Sequence, residues 1–369
     1  MALAASRYGR TAGGGHGERR GRSTAEENDE RSSVPSLFSV PSHLQWLAVL
    51  WPCSISFSPS VAMTRLLPHA CAPAVLVLTL VACASAPAAR TSSTATPAPT
   101  TAPRQIRLQG DFKGPLGVQL YTFRVLAQKD PVAMLDTVRK LGFTMVEGGS
   151  TYGMTMDRYL DVLKERGLRT TSMLAGYERF RDSSDAIIAQ AKALGAKYVG
   201  IALIPHQAPF KESDARKAIT DFNVFGRKMK DAGLTFVYHN HGYEGHRFGD
   251  GTLLDLIIKE TDPELVKLEM DVLWTWLPGI DPVALIRRYP GRFKLMHIKD
   301  MKPEVPRGSL TGLLPEEQQV APGEGQVPWA ALMKAAEQDG FEYYYIEDET
   351  PEPLVGVPKT ITFLERLKY

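Results

Sequence analysis

The sequence contains very little cysteine: among its 369 residues there are only three, Cys53, Cys71 and Cys83. Because none follows residue 83, the rest of the chain can form no disulfide, no Cys-ligated zinc site and no thiol nucleophile. An excess of charge of one sign is also lacking, since 43 Lys and Arg residues offset 41 Asp and Glu residues. No dense basic run is interleaved with aromatic residues, which excludes nucleic acid as an expected partner. Any catalytic chemistry must therefore come from His, carboxylates, Lys, Tyr or a bound ion.

The first hundred residues differ in composition from the rest. Residues 1–62 are rich in Gly, Ser and Arg without sustained periodicity, and such a composition cannot bury enough apolar surface to offset its ordering entropy. At Met63 a new pattern begins: Arg65, then an apolar run of about a dozen residues, then small residues, which is the layout of a secretory signal peptide. We therefore predict a disordered extension over 1–62, upstream of a working start at Met63.

The segment Leu80-Val81-Ala82-Cys83 resembles the lipobox of bacterial lipoproteins, in which the cysteine becomes the lipidated first residue. This resemblance implies a signal peptide over 63–83 with lipidation at Cys83. Residues 84–105 form a Ser/Thr/Pro/Ala linker, a composition suited to a tether. The expected protein is exported to the periplasmic or cell-surface face and contacts the membrane only through its lipid anchor. The alternatives are a generic signal peptide or a buried apolar segment, with Cys83 incidental.

From residue 106 onward, short β-branched or aromatic runs alternate with amphipathic helical patterns, which favours βα units around a parallel sheet. The predicted strands cover 117–122, 143–147, 169–173, 198–203, 235–240, 266–271, 293–299 and 343–348. The predicted helices cover about 130–141, 155–166, 183–194, 213–232, 252–260, 281–289, 328–339 and 357–367. Eight such units in about 250 residues predict a single α/β domain over 106–369, a (β/α)₈ TIM barrel. An open doubly wound sheet would show a Gly-rich phosphate loop after the first strand, and GVQLYTFR at 117–124 is not one.

Polar residues stand where the predicted strands end, which is where barrel enzymes carry their chemistry. Four of the five histidines of the domain fall at or just after such ends, namely His206, His239, His241 and His297. Predicted strands 5 to 8 each offer one His or carboxylate at the same level: His239 or His241, then Asp271, His297 and Glu347. Imidazole nitrogen and carboxylate oxygen suit Mn²⁺, Co²⁺, Zn²⁺ or Fe²⁺. The pattern therefore predicts a site for one divalent metal ion.

Over about 116–369 these residues resemble the xylose-isomerase-like barrel superfamily, in particular its sugar phosphate isomerase/epimerase and inosose-dehydratase-like branches. The most specific segments are LGAKYVGI (194–201), YHNHGYE (238–244), LEMDVLW (268–274), MHIKDM (296–301), PGEG (322–325) and YIEDE (345–349). The resemblance implies that Asp271, His297 and Glu347 are metal ligands. In the epimerase branch the strand-5 ligand is a Glu, which falls here on His239. Either His239 or His241 could take its place, because residues two apart on a strand face the same way.

The resemblance further implies an isomerase, epimerase or related lyase that acts on a sugar or keto-sugar through a metal-stabilised enediolate. In this mechanism the expected base is His241, or whichever of His239 and His241 is not a ligand, and Glu347 shares the role. Lys299 either faces the developing oxyanion or forms a salt bridge to Glu269 or Glu347. The expected substrate-binding residues are Tyr121, Glu147, His206 and Trp274. Trp274 and its neighbour Trp276 either stack on a sugar face or pack against the adjacent loop.

The segment 301–327 is long for a βα connection and rich in Pro, Gly and Glu, which predicts a lid over the site. A competing prediction is a lipid-anchored sugar-binding protein with an inactive barrel. The presence of Asp271, His297 and Glu347 favours the enzyme. The repair-nuclease branch of the superfamily is disfavoured, because the chain has too few His and acidic residues in place for several zinc ions and no basic surface run. A homodimer is the oligomeric state expected from the resemblance.

Overall fold

The computed structural model describes residues 103–369, in which eight parallel strands close into a barrel in the order β1-β8-β7-β6-β5-β4-β3-β2. The strands are β1 Leu116–Gln119, β2 Met145–Glu147, β3 Arg169–Leu174, β4 Tyr198–Ile201, β5 Thr235–His239, β6 Val266–Asp271, β7 Phe293–Ile298 and β8 Tyr343–Ile346. The predicted TIM barrel is confirmed, and every predicted strand falls on one of these eight. The predictions for 1–62, for the signal peptide and Cys83, and for the linker up to 102 lie outside the described residues.

The helices of the described part surround the barrel. They are α1 Arg124–Lys129, α2 Pro131–Lys140, α3 Met156–Glu165, α4 Tyr177–Leu194, α5 Glu212–Asp231, α6 Leu253–Glu260, α7 Val272–Trp276, α8 Pro282–Arg288, α9 Trp329–Asp339 and α10 Pro353–Arg366. None of these helices, within residues 103–369, combines the length and the apolar character that crossing a bilayer requires.

Local sequence signals explain where several helices begin and end. The Asp130 side chain accepts hydrogen bonds from the first backbone N–H groups of α2, and Asp281 does the same for α8. Each is followed by a proline at the first helical position. A proline costs no hydrogen bond there, because the N–H of that position has no partner within the helix. Gly195 and Gly340 end α4 and α9 with φ of 71° and 81°, a conformation that a Cβ would strain. These caps match the predicted boundaries.

Three helical features differ from the sequence-based prediction. The short helices α1 and α7 directly follow β1 and β6, and their five or six residues carry too little periodicity to be recognised. Helix α4 begins at Tyr177, six residues before the predicted start, and contains a kink at Ser183. Its first turns are held by the buried rings of Tyr177 and Phe180, which pack on Phe225 of α5. Tertiary packing thus extends this helix through a residue with non-helical dihedrals.

Alternation along the strands sets the depth of each side chain in the barrel. A small apolar cluster fills the interior near the amino-terminal ends of the strands; its fully buried members are Tyr198, Val237, Leu295 and Tyr345. Because side chains two residues apart point to the same face, the next inward residues of β5, β7 and β8 are His239, His297 and Glu347. The barrel therefore changes from an apolar to a polar interior toward the carboxyl ends of its strands.

Both ends of the described chain are fixed to the face of the barrel opposite these carboxyl ends. The backbone N–H of Arg104 donates to the carbonyl of Lys140, at the end of α2. Its guanidinium pairs with Glu365 of α10 at 2.8 Å. The carboxylate of Asp111 accepts from the backbone N–H of Tyr369 at 2.7 Å. These contacts begin two residues before the domain boundary placed at 106.

Replacement of Gly226 by alanine should destabilise the domain although alanine favours helices. An ideal Cβ at this buried position of α5 would lie 2.4 Å from the carbonyl oxygen of Leu265. Overpacking of this kind costs about 1–3 kcal/mol, which exceeds the roughly 1 kcal/mol that alanine gains over glycine in a helix. Urea unfolding should therefore show a lower free energy of unfolding for Gly226→Ala. Val224→Ala, on the exposed side of the same helix, is the matched control; a Gly226→Ala protein more stable than the parent would contradict this packing.

Candidate metal centre

The carboxyl ends of β5, β6 and β7 bring three predicted ligands together. One ligand atom each from His239, Asp271 and His297 lies within 4.8 Å of the others, and all three residues are buried. His239 Nε2 lies 3.7 Å and His297 Nδ1 lies 3.9 Å from Asp271 Oδ2. Glu347, just after β8, places Oε2 3.0 Å from His297 Nδ1. The four residues predicted from strands 5 to 8 therefore share one pocket.

Strand register explains this convergence. Asp271 of β6 is the direct partner of His297 on β7, and His239 of β5 is the partner of Glu269 on β6. Glu269 and Asp271 are two residues apart, so both point into the barrel and Glu269 lies one layer deeper. Of the two strand-5 candidates, His239 belongs to the ligand cluster and His241 does not.

A second layer of buried polar side chains lies beneath this pocket. The sequence led us to expect Glu147 at the substrate, and Glu269 only as a possible partner of Lys299. Glu269 places one carboxylate oxygen 3.1 Å from His239 Nδ1 and the other 3.3 Å from His297 Nε2. The carboxylate of Glu147 also contacts His297 Nε2, and it accepts a hydrogen bond from Gln119 at 2.8 Å. The signal for Glu269 was its spacing from Asp271 in LEMD, which puts two carboxylates on one face of a strand.

The electrostatics of the pocket are those of a site that favours positive charge. Asp271 Oδ2 is buried without a hydrogen-bond partner. Burial raises the pKa of Asp271, although Lys299 and His239 oppose the shift. Burial also raises the pKa of Glu147, and the nearby charge of Glu269 adds to the effect. The pKa of His297 is raised well above its ordinary value despite burial, because Glu269, Glu147 and Glu347 favour its charged form. Without a metal, protons therefore supply part of the positive charge that these carboxylates require.

Lys299 is buried at the edge of the pocket and contacts three carboxylates. Its Nζ lies 2.9 Å from Glu349, 3.1 Å from Glu347 and 3.6 Å from Asp271. These neighbours raise the pKa of Lys299 although burial opposes the shift, so the ammonium stays charged. Of the alternatives drawn from the sequence, the salt bridge to Glu347 is present, whereas no ion pair to Glu269 occurs in the described residues. Glu349 is an additional partner.

His241 lies beside the ligand cluster on the chain that leaves β5. Its ring stacks on Trp274 with a centroid distance of 4.9 Å, and its Nδ1 is buried without a partner. Its backbone N–H donates to the carboxylate of Glu244 at 3.0 Å. Burial lowers the pKa of His241 to about 3, and His239 and Lys299 act in the same direction. The imidazole is therefore neutral and keeps a free lone pair.

The four residues predicted to bind substrate occupy different depths. Tyr121 is half-exposed at the mouth of the barrel, beneath the guanidinium of Arg124. His206 donates from Nδ1 to the carbonyl of Ile204 at 2.8 Å, which leaves Nε2 free. Glu147 is fully buried in the lower layer and does not reach the pocket surface. Trp274 is 4% exposed. Its ring therefore packs against neighbouring side chains and leaves no free face for a sugar.

The segment 301–327 lies over this end of the barrel and is more ordered than its composition suggests. Asp300–Met301 pairs with Gln319–Val320 as a short antiparallel ladder. The side-chain amide of Gln326 donates to the carbonyls of Lys302 and Val305, at 2.7 Å each.

The tip of this segment reaches the candidate site. A Cβ added at Gly312 would lie 2.7 Å from the carbonyl oxygen of His241. Glu316, nearer the base, forms an ion pair with Arg124. The predicted lid is therefore a packed loop in contact with the site.

Comparison with known proteins bears on the family and the fold of the chain. Residues 135–367 match the sequence family described as "Xylose isomerase-like TIM barrel". An inosose dehydratase from Clostridium beijerinckii is 25% identical over 155 residues, which cover 40% of this chain and 51% of that protein. The chain thus spans about half the length of this relative and of a similar inosose dehydratase from Lacticaseibacillus casei.

Two solved structures show the same architecture. A sugar phosphate isomerase/epimerase from Parabacteroides distasonis is 25% identical with a TM-score of 0.56, and the alignment covers 71% of this chain and 98% of that chain. An IOLI protein with a bound zinc atom is 17% identical with a TM-score of 0.55, over 68% of this chain and 95% of that chain. The second likeness establishes the fold alone.

The low pKa of His241 makes the metal-free protein sensitive to acid. Between the unfolded value near about 6.5 and the folded value of about 3, the unfolded chain binds a proton that the folded chain excludes. Acidification from about pH 7 to about pH 5 should therefore destabilise the metal-free parent more than His241→Gln, which cannot bind that proton. Urea unfolding at both pH values in the presence of a chelator measures the difference. Equal losses of stability in the two proteins would show that His241 is not held neutral.

Proposed function

The chain belongs to the xylose isomerase-like TIM barrel family, and from this premise we propose that it is a divalent-metal-dependent isomerase, epimerase or dehydratase acting on a sugar or keto-sugar. The observation that carries the proposal is the buried His239–Asp271–His297 cluster, whose Asp271 Oδ2 has no partner. The similarity of the chain to a sugar phosphate isomerase/epimerase and to inosose dehydratases supports the proposed reaction class.

The donor set fits a divalent transition metal. His239, Asp271, His297 and Glu347 would hold the ion through two imidazole nitrogens and two carboxylates, a combination suited to Zn²⁺, Co²⁺, Fe²⁺ or Mn²⁺. Such an ion supplies a Lewis acid that polarises a carbonyl or a pair of hydroxyl groups.

The chain's own residues supply the remaining functions in this proposal. His241 presents a neutral imidazole beside the cluster and takes the proton from the carbon next to the substrate carbonyl. Glu347, which contacts His297 and Lys299 in the same pocket, shares the proton transfer. Lys299 provides a fixed positive charge for the oxyanion that develops. The loop tip at Gly312 limits the access of water to His241.

Metal content tests the proposal directly. The purified protein should contain close to one equivalent of Zn, Co, Fe or Mn by mass spectrometry, and Asp271→Ala and His297→Ala should lose it while circular dichroism stays that of the folded barrel. Asp255→Asn, which changes a buried carboxylate that caps α6 far from the pocket, should retain the metal. A parent that stays metal-free after incubation with each ion would refute the mechanism and leave a sugar-binding barrel. A metal-loaded parent that turns over no keto or aldo sugar would also favour the binding protein.

The amino-terminal pattern supports a second proposal, that the enzyme is an exported lipoprotein anchored through Cys83. The substrate would then be a free or glycan-derived sugar outside the cytoplasm, such as a keto sugar. In a bacterial host, the parent should partition into the membrane fraction and incorporate labelled palmitate, and Cys83→Ser should do neither. Unlabelled parent protein, or a native amino terminus upstream of Met63, would contradict this proposal.

A further inference from the structure

One buried carboxylate, that of Glu269, lies beneath both histidines of the candidate metal centre. Glu269 has no exposed surface, and its two oxygens face different rings: Oε2 lies 3.1 Å from His239 Nδ1, and Oε1 lies 3.3 Å from His297 Nε2. On the opposite side of each ring, His239 Nε2 and His297 Nδ1 face Asp271 Oδ2 at 3.7 and 3.9 Å. Both imidazoles therefore lie between an inner carboxylate and an outer carboxylate of the same strand.

The two carboxylates differ in what else they contact. Glu269 is enclosed within the barrel; its Oε2 bonds to His239 Nδ1, whereas its Oε1 makes no hydrogen bond, because His297 Nε2 is bonded to Glu147. Asp271 Oδ1 accepts the backbone N–H of Trp274 at 2.9 Å, and its Oδ2 has no partner. A carboxylate only accepts hydrogen bonds when it is ionised, so each ring nitrogen that faces Glu269 must carry its proton to bond with it.

From this geometry we propose that Glu269 is a positioning residue that fixes the proton of His239 on Nδ1 and, together with Glu147, the proton of His297 on Nε2, and so directs His239 Nε2 and His297 Nδ1 toward the cation. This inference rests on the proposed metal-dependent function. The two ligand histidines would then coordinate through different ring nitrogens, because Glu269 faces Nδ1 of His239 but Nε2 of His297. Hydrogen bonds to the non-coordinating nitrogen of a ligand histidine orient its ring and raise its basicity.

Glu147 completes the lower layer but cannot replace Glu269. It contacts only His297 among the two rings, and its other contact is the amide of Gln119. Loss of Glu269 would leave His239 Nδ1 without any carboxylate partner in the described structure. The effect of a change at Glu269 should therefore exceed that of the same change at Glu147.

Zinc affinity of the full chain, measured by competition with a chromophoric chelator, tests the proposal without an activity assay. Glu269→Gln should weaken zinc binding by about 10–100-fold, because an amide can accept from only one ring and presents an N–H to the other. Asp255→Asn is the matched control, since it makes the same chemical change at a buried carboxylate away from the pocket, and it should bind zinc like the parent. A folded Glu269→Gln protein with the affinity of the parent would overturn the proposal.

A spectroscopic signature separates positioning from a general loss of stability. In the zinc-loaded parent, ¹⁵N–¹H correlation spectra of the histidine rings should show His239 protonated at Nδ1 and His297 at Nε2. The reverse assignment for either ring would overturn the proposal, and so would a second equivalent of zinc bound by Glu147 and Glu269. Failure of the parent to bind any metal would instead refute the proposed function on which the inference rests.

Discussion

The burial of several carboxylates in one barrel interior is the constraint on which the rest of the site depends. Glu147, Glu269 and Asp271 have no exposed surface, and Glu347 is nearly buried. Ionised carboxylates removed from water are costly unless positive charge and hydrogen-bond donors surround them. Lys299 supplies one such charge, and the proton that His297 retains through its raised pKa supplies part of the remainder. An apolar interior of similar volume would give the folded protein equal or greater stability. The buried carboxylates are therefore better explained by cation binding than by stability.

The strand pattern of the sequence was sufficient to predict the barrel. Each strand is a short, β-branched or aromatic segment that ends near a polar residue, and alternation alone places Asp271 and His297 inward at the same end. The sequence could not distinguish His239 from His241 as the strand-5 ligand, since an ideal strand would point both the same way. In the structure β5 ends at His239, and Gly242 then turns the chain with φ of 89°. His241 thereby leaves the strand and stacks on Trp274.

The depth of each polar side chain within the barrel was the other property that could not be predicted from the sequence. Glu147 and Glu269 differ from Asp271 only by their position along a strand, and the layer to which each belongs depends on the stagger of neighbouring strands. That stagger changes within β6, where the register with β7 shifts between Leu268 and Glu269. An irregularity of this kind is set by packing across the closed sheet and leaves little trace in local propensity. For this reason the sequence pattern placed Glu147 at the substrate and did not place Glu269 beneath the two histidines.

Both ends of the described chain are attached to one face of the barrel, and the candidate metal centre lies at the opposite face. Arg104 is fixed to α2 and α10 at the amino-terminal side of the sheet, whereas the ligand cluster lies at the carboxyl ends of the strands. The amino-terminal end of the described chain therefore lies on the side of the barrel away from the pocket. A barrel that rests on a surface through this side presents its mouth outward, and solutes reach the mouth without passing between the protein and its support.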